Sequence, residues 1–157
     1  APHVAIVSSD EALGVYGAGD CGAYVGNFLL AAHSLGCMAT VHLPAHVAAR
    51  VQAALLVAPA DPERRGQLAD FAPVPYQPLP YRSIVVASDN DPYCPVRLAT
   101  AYARAWGSDL VKLVGAGHIN VESGHGHWPL GWSLLDALLQ ESTSHVRHDA
   151  KPYAMAE

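Results

Sequence analysis

The sequence predicts an α/β fold: a mostly parallel sheet with helices on both faces. Uncharged apolar runs at residues 28–32, 51–58 and 83–87 lack the period-two alternation of a half-exposed strand, as strands covered on both faces should. Helix-length segments separate the strand-like runs, and strand–helix–strand units join parallel neighbours by right-handed crossovers. The first run, Phe28-Leu29-Leu30-Ala31-Ala32, stops abruptly at His33-Ser34-Leu35-Gly36. In such sheets, sites form beyond the carboxyl ends of the strands, so the loops after the strands are where chemistry is expected.

Taken in order, residues 3–7 read as a short strand, and residues 8–26 as a loop carrying Gly14, Gly17, Gly19, Gly22 and Gly26. The Gly17-Ala18-Gly19 step has neither the third glycine nor the Lys-Ser/Thr pair of a nucleotide cradle. Residues 28–32 form the next strand. Ser34 follows at a corner, with the small residues Ala32 and Gly36 on either side leaving room for the strained backbone of a nucleophile elbow. The usual elbow has glycine where Ala32 stands. A helix runs from Leu35 to about His42, and Pro44 kinks or stops it.

Residues 51–58 form a strand that Pro59 and Pro62 break. Residues 63–80 are polar and then proline-rich, with Pro73, Pro75, Pro78 and Pro80 excluding long regular structure, and are expected at the surface. Residues 83–87 form a third buried strand. Leu98, Tyr102 and Trp106 recur at four-residue steps in a helix over 96–106 that Gly107 closes. Residues 109–114 are the last strand, followed by the loop Gly115-Ala116-Gly117-His118. An amphipathic helix covers 132–140. The expected organisation is one domain over 1–140 and a polar tail over 141–157.

Composition narrows the function classes. A chain of 157 residues suits one domain with one substantial core. With 51% hydrophobic and 15% charged residues it is globular, not disordered. No apolar run reaches the roughly 18 residues of a membrane span, and no basic-then-apolar leader opens the chain, so a soluble protein without a membrane partner is expected. A net charge of −5, with nine Lys plus Arg and no basic block, argues against nucleic acid as a partner. Cys21, Cys37 and Cys94 are odd in number and lack metal-type spacing, which points to a reducing compartment, the cytoplasm.

Ser34, Asp91 and His118 each follow a strand directly, and their order along the chain is that of the α/β-hydrolase triad. In that chemistry His118 takes the Ser34 proton as the hydroxyl attacks an acyl carbonyl, while Asp91 holds the imidazole in the required tautomer. An acyl-enzyme forms and water then releases it. Each residue also has a structural reading: Ser34 as a helix cap, Asp91 before Pro92 as a turn starter, His118 as a loop histidine. Three coincident placements favour the chemistry.

The backbone N–H of Leu35 is an oxyanion donor by position, and Ser8 or Ser9 is the candidate for a second. Losing one such donor costs about 10²–10³ in turnover. Tyr93, Trp128 and His33 are candidates to line the substrate cleft. Trp128 also reads as packing between the His118 loop and the last helix, and His33 as a structural neighbour of the serine. His125 and His127, taken with His118, raise a metal-dependent hydrolase as an alternative, but no carboxylate or cysteine pair stands at ligand spacing around them.

The segments Ala32-His33-Ser34-Leu35-Gly36-Cys37, Val57-Ala58-Pro59-Ala60-Asp61-Pro62, Asn90-Asp91-Pro92-Tyr93-Cys94 and Gly117-His118-Ile119-Asn120 carry a resemblance. With Glu122-Ser123-Gly124-His125-Gly126-His127-Trp128-Pro129-Leu130-Gly131, they resemble the serine hydrolase family that includes retinoblastoma-binding protein 9. The similarity covers about residues 28–139. It implies a three-layer α/β-hydrolase fold, no cofactor, a small acyl ester or amide as substrate, and Ser34, Asp91 and His118 as nucleophile, acid and base. Members of that family carry more chain before the nucleophile than the 33 residues found here, so an N-terminally shortened member is expected. Such shortening would expose apolar surface or a sheet edge and invite a homodimer. It also leaves a second function class open, a catalytically weak protein-binding module on a hydrolase scaffold.

Overall fold

The structure, a computed structural model, describes residues 28–64 and 68–148. The strand expected at residues 3–7, the glycine-rich stretch after it, and Ser8, Ser9 and Cys21 lie outside the described residues. Four strands, β1 (Phe28–His33), β2 (Val51–Val57), β3 (Arg82–Ser88) and β4 (Asp109–Leu113), form one sheet in sequential order, every pair parallel. Helices α1 (Leu35–Val41) and α2 (Ala45–Ala48) connect β1 to β2, and α3 (Val96–Trp106) connects β3 to β4. Helix α4 (Pro129–His148) follows β4.

Successive strands step in one direction across the sheet, and right-handed crossovers then put the connecting helices on a common face. That is what the packing shows. Ala54 and Leu56 of β2 and Val85 and Ala87 of β3 point into a core with Met38 and Val41 of α1 and Tyr102 and Trp106 of α3. Ala53, Leu55 and Val57 of β2 and Ile84 and Val86 of β3 point the other way, against Leu135 and Leu138 of α4. Both faces of β2 and β3 are therefore buried, which is why these runs read as continuous apolar sequence.

Two expectations are corrected. The last helix, expected over 132–140, runs from Pro129 to His148, so the stretch assigned to a polar tail continues the helix for two further turns. Polarity did not stop it because Glu141-Ser142-Thr143-Ser144 contains neither proline nor glycine. The proline-rich connection over 63–80 is not all surface either. Phe71 and Val74 are buried, and Pro75 O accepts a hydrogen bond from Trp106 Nε1 at 2.7 Å. Proline forbids a ladder, not burial, and these side chains cap the core beside α3.

Trp106 is 1% exposed and stacks on Tyr102 with ring centroids 5.0 Å apart. Trp106→Ala should cost about 3–5 kcal/mol, from lost burial and an unpaired Pro75 carbonyl, as read by urea unfolding.

Candidate active site

The elbow after β1 is a strained corner. Ser34 has φ 52° and ψ −115°, a left-handed conformation that is uncommon outside glycine and has to be enforced by its surroundings. Its N–H donates to Val57 O at 3.0 Å, one rung beyond the strand, and its own carbonyl accepts the Cys37 N–H at 3.1 Å as α1 begins. A Cβ placed on Gly36 would sit 3.5 Å from the Ala32 methyl. That is an ordinary van der Waals distance, so the Ala32 methyl meets no crowding at Gly36 and the departure from the usual glycine is accommodated. The buried Cys37 thiol lies 3.4 Å from Ala32 O and 3.3 Å from Val57 O, tying both strand ends beneath the serine.

Asp91 lies in the turn after β3 and His118 in the loop after β4, each 8% exposed. Asp91 Oδ1 accepts the Tyr93 N–H at 2.8 Å, so the turn-starting role is real. The same carboxylate meets His118 Nδ1 at 2.9 Å through Oδ2 and 3.1 Å through Oδ1. On the other side of the ring, Nε2 is 2.9 Å from Ser34 Oγ. An ionised carboxylate can only accept, so the ring proton belongs on Nδ1 and the Nε2 lone pair faces the serine hydroxyl. Sequence-distant residues are thus joined in one line of hydrogen bonds that leaves a basic nitrogen beside a hydroxyl.

The loop carrying His118 is built from left-handed and capped positions. Gly115 and Gly117 have φ of 66° and 57°, and Ile119 has φ 52°. Asn120 then opens a short 3-10 turn (Val121–Ser123) with a reciprocal cap: Ser123 N–H donates to Asn120 Oδ1 at 3.0 Å, and Asn120 N–H to Ser123 Oγ at 2.9 Å. Gly124 closes the turn at φ 87°. These bonds account for the Asn120, Ser123 and Gly124 positions of the family-like run.

A second set of bonds comes from β3. Ser88 Oγ accepts the Ala116 N–H at 3.0 Å, Asp89 Oδ1 the Gly115 N–H at 2.8 Å, and Asn90 Oδ1 the Gly117 N–H at 2.7 Å. Three consecutive side chains, the last of β3 and the first two of its turn, thereby hold three consecutive amides after β4. Ser88, Asp89, Asn90, Asn120 and Ser123 were not singled out from sequence. The available signal was a polar triplet directly after a buried strand, where side chains need partners.

The other sequence candidates fall as follows. Tyr93 lies over His118, ring centroids 4.4 Å apart, and is 40% exposed, so it covers the base and still reaches solvent. His33 reaches the loop of the base: its Nε2 is 2.8 Å from His118 O, while the residue as a whole is exposed. The Leu35 amide opens α1 immediately after the serine. Trp128 is engaged beneath the loop, where a Cβ at Gly131 would overlap its ring and where it packs on the core under α4. His125 makes an edge contact with Trp128, and among the described residues no three His, Cys, Asp or Glu side chains gather as metal ligands.

Comparison with known proteins follows this geometry. The family model described as serine hydrolase matches residues 20–137. A solved protein from Pectobacterium atrosepticum, described as a YdeN-like hydrolase, shares 31% identity at a TM-score of 0.70, over 87% of this chain and 71% of its own. The YdeN protein of Bacillus subtilis shares 18% identity at 0.64, over 84% and 76%. The Est1E protein of Butyrivibrio proteoclasticus shares 16% at 0.55, over 77% and 63%. These last two likenesses speak for the fold alone. No curated protein matches the chain.

Gly117 is the tightest point of the loop, since a Cβ there would sit 2.7 Å from Ser123 Cβ at a positive φ. Gly117→Ala should lower stability by about 1–3 kcal/mol in denaturant unfolding. Burial raises the Cys37 thiol far above its ordinary pKa and pushes Cys94 up to about 12. A raised pKa keeps both as unreactive thiols at pH 8. Iodoacetamide should leave them unmodified in the folded protein and alkylate both after unfolding, as peptide mass spectrometry would show.

Proposed function

The chain belongs to the serine hydrolase family, and from that premise we propose that it cleaves small acyl esters or amides, with Ser34 as nucleophile, His118 as general base and acid, and Asp91 as its orienting carboxylate. What carries the reading is the unbroken line Asp91–His118–Ser34, with 2.9 Å at each of its two links. We assign the chain to the branch that includes retinoblastoma-binding protein 9, on the strength of residues 117–131. A reducing compartment, the cytoplasm, fits its free thiols Cys37 and Cys94.

His118 Nε2 takes the hydroxyl proton while Ser34 Oγ bonds to the acyl carbon, and the developing imidazolium is stabilised by the Asp91 carboxylate through Nδ1–H. The carbonyl oxygen, now negative, points toward the Leu35 N–H at the start of α1. Collapse breaks the bond to the leaving group, which departs with the proton from Nε2 and leaves Ser34 acylated. Water then gives its proton to His118, attacks the acyl carbon and releases the acid, restoring the serine. Tyr93, tilted over the base and open to solvent, is positioned to meet the substrate's leaving or acyl side.

A fluorophosphonate probe should label the protein, and the label should vanish in Ser34→Ala. His118→Ala and Asp91→Asn should lower p-nitrophenyl ester turnover by about 10⁴ while circular dichroism stays native. Chelator should change nothing. Folded protein that neither labels nor turns over ester would instead support a binding module on the hydrolase scaffold.

A further inference from the structure

We propose that His33 and Asn90 are positioning residues that grip the backbone of the base from opposite sides, and that together they, more than the packing of its imidazole, hold His118 between Asp91 and Ser34. The inference rests on the triad reading and deepens it. On the N-terminal side, the Gly117 N–H donates to Asn90 Oδ1 at 2.7 Å. That oxygen also accepts from Ser88 Oγ at 2.7 Å, and Ser88 Oγ accepts the neighbouring Ala116 N–H at 3.0 Å. Two successive amides, one hydroxyl and one amide oxygen close into a ring, anchored on the fully buried Ser88. On the C-terminal side, the His118 carbonyl accepts from His33 Nε2 at 2.8 Å.

A carbonyl oxygen cannot donate, so His33 Nε2 must carry a proton. The neutral Nε2–H tautomer satisfies this without adding charge. Charge matters here because the two rings are 4.8 Å apart, edge to face, and His118 becomes an imidazolium during the reaction. A second cation there would oppose that step. The groups that face His33 are His118 and the Asp91 carboxylate; desolvation of the ring is the leading influence and lowers its pKa below the ordinary histidine value, although the residue as a whole is exposed. His33 is therefore favoured as a neutral Nε2–H donor to the His118 carbonyl.

Gripping the backbone is needed because the loop itself is strained. Gly117 at φ 57° and Ile119 at φ 52° flank the histidine, and a loop so wound has other conformations within reach. The two grips come from different places, the end of β1 through His33 and the turn after β3 through Asn90, and these also present Ser34 and Asp91. Each grip thus sets the base relative to the partner it must meet.

The test compares His33→Ala and Asn90→Ala with His33→Gln, which keeps a neutral donor at similar reach, and Asn90→Asp, which keeps the acceptor. Ester kinetics and the NMR signal of the His118 Nδ1 proton are read for each. Both alanine variants should lower kcat about tenfold to a hundredfold with KM within about twofold, because misplacing a reacting group by an ångström costs rates of that order. The Nδ1 proton should resonate sharply and far downfield in the parent, broaden in both alanine variants, and return with Gln or Asp. The inference is overturned if the alanine variants keep the parent kcat and the sharp resonance, or if the conservative variants recover neither. Labelling that persists in Ser34→Ala would sink the nucleophile assignment, and the NMR comparison would still decide whether His33 and Asn90 hold the ring.

Discussion

The structure depends on one repeated contact: the first residue after each of β1, β2 and β3 donates its N–H to a carbonyl at or near the end of the next strand. Ser34 N–H meets Val57 O at 3.0 Å, Ala58 N–H meets Val86 O at 2.8 Å, and Asp89 N–H meets Leu113 O at 3.1 Å. These rungs carry the parallel ladder to the strand ends and bring the departing loops to the same end of the sheet. Ser34, Asp91 and His118 converge because their loops leave from that end. A slip of one residue in any register would turn buried side chains to the opposite face. The apolar identity of both faces of β2 and β3 therefore secures the geometry of the site as well as the core.

Strain collects at the same end of the sheet. Ser34, Ala58 and Ile119 are the non-glycine residues with positive φ among those described; the first two directly follow β1 and β2, and Ile119 lies in the loop after β4. Such conformations cost of order 1–3 kcal/mol each and persist only where neighbours over-determine them. The neighbours can be named. Cys37 ties Ala32 to Val57 under Ser34. Asn120 and Ser123 cap each other after Ile119, and Ser88, Asp89 and Asn90 hold the amides before His118. Among the described residues no buried side-chain nitrogen or oxygen is left without a partner, so the polar loops add rigidity without an unsatisfied group.

Much of this was legible in the chain. Continuous apolar runs identified β1, β2 and β3 because burial on both faces removes alternation, and the spacing of Leu98, Tyr102 and Trp106 identified α3 to its ends. The chain order of Ser34, Asp91 and His118, each after a strand, identified residues that the fold joins within hydrogen-bonding distance. What was not legible followed from long-range partnership. Phe71 and Val74 read as surface because prolines surround them, and the bond from His33 was not foreseen because its partner, a backbone carbonyl 85 positions away, leaves no mark in local sequence. Ser88 and Asn90 were not singled out for the same reason.

By itself, the sequence determined which stretches must be buried, where each strand stops, and which side chains with acyl-transfer chemistry stand at those stops. These are properties of local pattern, since apolar periodicity and turn chemistry act over a few residues. Only the tertiary structure decided that Asp91 both starts a turn and bonds His118, that His33 bonds the His118 carbonyl, and that three side chains at the end of β3 and in its turn fasten the loop after β4. Those are choices among partners distant in the chain. Hydrogen bonds to backbone amides and carbonyls carry no residue identity on the partner's side, so the chain cannot announce them before it folds.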